Sequence, residues 1–133
     1  MGNAYKAQEA SFQSGKYVLA GDREGWLSLF ADDAVVQDPV GESPLDPTGQ
    51  GHRGKDAIAA FYDMVIGPGD MQKFEITGSH PAGDECANVV EIRNVLGDTV
   101  VEMQMVVVYT ADDVGKLTSL KAYWDFNKTM GLV

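Results

Sequence analysis

With 133 residues, 44% of them hydrophobic, the chain has the length and apolar content of a single domain over 1–133 built around one core. Twenty acidic residues against ten basic ones leave a net charge of −10, which repels phosphate backbones and anionic lipid and so argues against nucleic-acid and membrane partners. The lone Cys86 excludes an internal disulfide, and no leader pattern or apolar run approaching ~20 residues is present, so the expected location is cytoplasmic, while the acidic balance suits an uncharged or cationic small partner.

From Ala4 to Leu19, the residues Ala7, Ala10, Ser11, Ser14 and Val18 recur at three- and four-residue spacing, which predicts a helix with one face of small side chains. Gly21 ends it and Asp22 can cap a second, short helix whose apolar stripe is Trp26, Leu29 and Phe30. Ala34 to Gln37 reads as a brief strand, and Gly41 to Gly54 as a loop rich in Pro and Gly. A third helix over Lys55 to Ile66 carries Ile58, Phe61, Tyr62 and Val65 on one stripe. After Gly67-Pro68-Gly69 the pattern changes to strands at Met71–Ser79, Ala87–Asn94, Thr99–Tyr109 and Leu117–Phe126, with turns at Leu96-Gly97-Asp98 and Asp112-Asp113-Val114-Gly115. Three helices followed by a meander predict an α+β fold: a curved sheet, mixed or antiparallel, covered on one face by the N-terminal helices, with which it can form a cone. In the longest strand, alternation puts Val101, Met103, Met105 and Val107 on the dry side, opposite Glu102, Gln104 and Val106.

Several tempting motifs fail on context. Gly49-Gln50-Gly51-His52-Arg53-Gly54 matches a dinucleotide-binding string, yet it follows a Pro-rich loop and no βαβ unit surrounds it. His52, His80 and Cys86 have no metal-ligand spacing, so neither a metal nor a cofactor is expected. Ser14, Ser28 and Ser43 sit in no nucleophile turn. What remains is Asp38, a single carboxylate at the end of an apolar run and just before Pro39. In an apolar cavity its pKa would rise, making it a better base for abstracting a proton beside a carbonyl; as a surface residue it would only cap the turn.

Four segments bear on that choice: Ala20-Gly21-Asp22; Phe30-Ala31-Asp32-Asp33-Ala34-Val35-Val36-Gln37-Asp38-Pro39-Val40-Gly41; His52-Arg53-Gly54-Lys55-Asp56-Ala57-Ile58-Ala59-Ala60-Phe61-Tyr62; and Lys121-Ala122-Tyr123-Trp124. Together they span most of the chain, which resembles the Δ5-3-ketosteroid isomerases and their relatives in the nuclear transport factor 2-like, or SnoaL-like, superfamily. The resemblance implies a cone-shaped fold, usually a homodimer, around a deep apolar pocket for a steroid. In those enzymes an aspartate moves a proton between two steroid carbons while a tyrosine and a neutral aspartic acid hydrogen-bond the dienolate oxygen. Asp38 matches the base, Trp124 a pocket aromatic, and Tyr62 a tyrosine that supports the oxygen-binding one.

The match also exposes two departures. Counting without gaps, the oxygen-binding tyrosine falls on Ser14 and the neutral acid on Val107. Losing one such donor costs about 3 to 4 kcal/mol of transition-state stabilisation. The candidate replacements are Tyr17 one turn further along the helix, Tyr62 reaching in directly, or a water held by Ser14. The expected site therefore comprises Asp38, Tyr62, Ser14 and Tyr17 for chemistry, with Trp124, Met103, Met105, Val107, Phe30 and Phe61 as the substrate wall. The leading expectation is a cofactor-free steroid delta-isomerase-like enzyme. A non-catalytic steroid-binding protein and a polyketide cyclase or epoxide hydrolase-like enzyme of the same superfamily are the alternatives.

Overall fold

The structure is a computed structural model that describes residues 2–132. Helix α1 (Ala4–Ala20) buries its small-residue face, and Gly15 lets it lie directly on the sheet, since a Cβ there would sit 3.0 Å from the Phe74 ring. The helix ends where Gly21 turns left-handed at φ 67° and the Asp22 N–H donates back to the Tyr17 carbonyl at 2.9 Å. The Asp22 carboxylate then accepts from the Gly25 N–H at 2.9 Å and starts α2 (Arg23–Ser28).

Phe30 is not on that second helix. It opens β1 (Phe30–Gln37), which starts four residues earlier than its apolar run suggests, because Phe30 is buried and pairs with Leu117. The loop after β1 contains a two-residue strand, β2 (His52–Arg53), paired with Val35 and Val36. Helix α3 (Lys55–Phe61) continues as a π-helical turn over Tyr62–Ile66 instead of staying α throughout. Four long strands follow: β3 (Asp70–Ala82), β4 (Glu85–Leu96), β5 (Thr99–Ala111) and β6 (Leu117–Tyr123). β3 runs past Pro81 because it is an edge strand, where a missing N–H costs no ladder bond. β6 stops short of Phe126, which instead begins a fourth short helix, α4 (Phe126–Thr129), capped by Asp125.

The sheet order is β2-β1-β6-β5-β4-β3, antiparallel except where β1 runs parallel to β6. The result is the expected α+β architecture, a curved open sheet with helices packed over one face. Trp26, Phe30, Phe61 and Tyr62 form an aromatic cluster within the core, with Phe30 and Tyr62 centred 4.7 and 5.5 Å from Trp26. Behind α1 a buried polar chain ties helix to sheet: Asn88 Nδ2 donates to Ser11 Oγ at 2.8 Å, and Ser79 Oγ donates to Asn88 Oδ1 at 2.6 Å. Among the described residues no helix is long and apolar enough to cross a membrane.

Candidate active site

Asp38 stands one residue beyond the end of β1. Gln37 pairs with Lys121 on β6, and the Val40 N–H donates to the Ala122 carbonyl at 2.9 Å, so the turn carrying Asp38 is fastened to β6 from both sides. Trp124, one residue past β6, donates its indole N–H to Asp38 Oδ1 at 2.6 Å. Both side chains line a cavity of about 180 Å³ between the concave face of the sheet and the helices. Its wall is almost wholly apolar, with Met103, Met105 and Val107 from β5, Val65 and Ile66 from the π-helical turn, and Leu120 from β6.

That environment acts on the carboxyl. Asp38 is half-buried by surface, and the part that is free opens on the cavity. Desolvation by its surroundings pushes its pKa from the ordinary 3.8 up to about 6, outweighing the Trp124 hydrogen bond that pulls it down. Near neutrality the group is therefore mostly ionised, yet it takes a proton far more readily than a surface aspartate does.

Three further polar side chains line the same cavity. Ser14, from α1, is buried and accepts a hydrogen bond from Trp26 Nε1 at 3.0 Å. Tyr109, near the end of β5, is 1% exposed. Burial raises its pKa most, partly offset by the Ser14 hydroxyl nearby, with the charge of Asp38 adding to the rise. The phenol therefore stays protonated and available as a donor. The third is Asn94, on β4.

A family model described as the SnoaL-like domain matches residues 16–120, which carries most of the sheet and the cavity wall. The chain belongs to the SnoaL-like family. Within it, the chain is 27% identical over 107 residues to a steroid Delta-isomerase of Nocardioides simplex, covering 80% of each. Two solved structures superpose closely. The Delta 5-3-ketosteroid isomerase of Mycobacterium sp. is 39% identical at a TM-score of 0.85, with 92% of this chain and 95% of that one covered. RV0760c of Mycobacterium tuberculosis, in complex with estradiol-17beta-hemisuccinate, is 34% identical at 0.85 over the same shares.

In this SnoaL-like chain, Asp38, Ser14, Trp124, Met103, Met105 and Val107 meet at one cavity. Four other expected residues do not line it. Phe30, Phe61 and Tyr62 are buried against Trp26, which alone of that cluster reaches the cavity, and Tyr17 packs its ring over Gly25, where a Cβ would approach to 2.6 Å. Their aromatic surface is spent on joining the helices to β1. The residue that sequence reasoning missed is Tyr109. It continues the 101-103-105-107 alternation by one step, so the signal was in the strand, but the phenol lay at the end of the run and was not counted with it. Histidines offer nothing comparable: His52 packs against Phe61 with ring centroids 5.0 Å apart and the rings tilted by 41°, and no cluster of three metal-ligating side chains occurs among the described residues.

Proposed function

We propose that this chain is a steroid delta-isomerase-like enzyme that needs no cofactor and acts on a steroid or a similar polycyclic ketone. Asp38 is the base. It removes a proton from the carbon between the ketone and a β,γ double bond, and the electron pair moves through the carbonyl onto oxygen. Asp38 then returns the proton to the far end of the dienolate, which shifts the double bond into conjugation with the ketone. The Tyr109 phenol donates a hydrogen bond to the oxygen as charge develops there, in the role left open at Ser14, while the Ser14 hydroxyl supports the phenol. The observation that carries this reading is a desolvated carboxylate and a protonated phenol on the wall of one apolar cavity.

Conjugated enone absorbs in the ultraviolet, so the test is absorbance after mixing the protein with a Δ5-3-ketosteroid. A rate above buffer that disappears in Asp38→Asn supports the reading; equal rates for both proteins refute it. A second reading, steroid binding without turnover, is favoured by the apolar Val107 where a second acid would stand. It predicts saturable binding of the steroid with no enone formed. A homodimer belongs to the same proposal: Val106 and Tyr123 pair across β5 and β6 and are exposed on the convex side, and sedimentation of the chain at micromolar concentration tests it.

A further inference from the structure

The cavity is polar at two separate places. One is the cluster at Asp38, level with Ala122 and hence with its partner Val107 on β5. The other is Asn94, whose β5 partner is Val101. Six residue steps along β5 separate these rows, roughly 20 Å of extended chain. Around Asn94 the cavity wall is otherwise apolar: Met64, Ile66, Met71, Ile92, Leu96 and Val101.

Asn94 is 9% exposed, and its Oδ1 is buried without a hydrogen-bond partner. Carboxamide oxygen and nitrogen exchange places by a half-turn of χ2, so this group can offer either an acceptor or a donor. A buried amide with no protein partner is unfavourable by itself. The backbone also makes room for it, because a Cβ on Gly69 would lie 2.3 Å from Oδ1. A leucine in place of Asn94 would complete the apolar wall without that penalty, so the amide makes physical sense when a ligand supplies its partner.

We propose that Asn94 is a specificity residue that hydrogen-bonds an oxygen substituent at the end of the steroid remote from the reacting ketone. With the ketone among Asp38 and Tyr109, the long axis of the ring system runs along β5 and delivers its far end to the β4–β5 rim. A hydroxyl or carbonyl carried there satisfies the amide, whereas a hydrocarbon end leaves it unpaired. This inference rests on the steroid reading of the cavity.

Two Δ4-3-ketosteroids that differ at one position test it: testosterone, with a 17-hydroxyl, and androst-4-en-3-one, with no oxygen there. Binding is followed by quenching of Trp26 and Trp124 fluorescence in wild type, Asn94→Leu and Gly69→Ala. Solvation alone makes an apolar pocket prefer the deoxy steroid. The expected wild-type result is the opposite, with testosterone bound about tenfold more tightly or better. Asn94→Leu should bind androst-4-en-3-one at least as well as wild type and lose the preference for testosterone, and Gly69→Ala, which displaces the amide, should weaken that preference. Wild-type protein that binds both steroids with equal affinity overturns the assignment of Asn94 while leaving the steroid site standing. Failure of wild type to bind either steroid overturns both. Equal wild-type affinities overturn the assignment however either variant folds, and a preference for testosterone retained in Asn94→Leu overturns it as well.

Discussion

Replacing Asp38 with asparagine isolates what a desolvated carboxylate costs the fold. The folded carboxyl holds its proton until about pH 6, while the unfolded one releases it near 3.8. Between those values the folded state binds more protons, so the stability contributed by protonated Asp38 is fully present below 3.8 and is lost as pH rises through 6. A shift of this size corresponds to up to about 3 kcal/mol at pH 8, at 1.36 kcal/mol per pH unit, and any water reaching the carboxylate through the cavity reduces it. Asparagine has nearly the same shape, carries no charge and keeps an oxygen for the Trp124 N–H. Asp38→Asn should therefore be more stable than wild type at pH 8 by up to about 3 kcal/mol, roughly 10 °C in Tm. The two proteins should converge, apart from a constant offset, near pH 4. Urea unfolding followed by tryptophan fluorescence at steps from pH 4 to 8 measures the difference. A stability gap that does not change with pH would mean that Asp38 is hydrated like a surface residue, and the reasoning about the cavity would fail with it.

Other consequences are open to simpler measurements. Tyr109→Phe removes the proposed oxygen donor and should lower the isomerisation rate by about 10²- to 10³-fold with little change in steroid Kd; an unchanged rate would return the donor role to another group. Trp124→Phe deletes the hydrogen bond that holds the Asp38 pKa down, so the rising limb of the pH–rate profile should move to higher pH, and a limb that stays in place would detach Asp38 from that profile. Val107→Asp puts an acid at a cavity position only 1% exposed, where desolvation keeps it protonated and able to donate. The expected result is isomerisation about tenfold faster or more together with a lower Tm at pH 8, and a slower enzyme would show that the oxygen does not sit near this wall.

Much of the fold is legible in the chain because local patterns and tertiary demands agree. The small-residue spacing from Ala4 to Val18, the stop at Gly21 and the alternation from Val101 to Val107 each name an element and the face it buries. Reading failed where a distant partner decided the outcome. Phe30 looks helical from Trp26 and Leu29 beside it, yet pairing with Leu117 draws it into β1. The π-helical turn at Tyr62–Ile66 leaves no mark that helical periodicity detects, and it brings Val65 and Ile66 to the cavity while Tyr62 packs on Trp26. At the site, Asp38 could be singled out because a carboxylate after an apolar run and before proline is conspicuous. Tyr109 and Asn94 are less conspicuous: Tyr109 shares the phase of Val101 to Val107, but an aromatic in a strand reads as core, and an asparagine near a hairpin reads as turn chemistry until the register is known.

The parallel pairing of β1 with β6 has a bearing on biosynthesis. The hydrogen bond between Trp124 and Asp38 closes a loop of 86 positions, and nearly every strand of the sheet lies between the two. During translation the Asp38 carboxyl must wait, without its indole partner, until residue 124 has left the ribosome. The helices and the β3–β5 meander can organise on contacts nearer in sequence, but the cavity wall is completed only when β6 and Trp124 arrive. A nascent chain stalled before residue 117 would thus carry Asp38 on an open sheet margin, with the cavity wall around it incomplete.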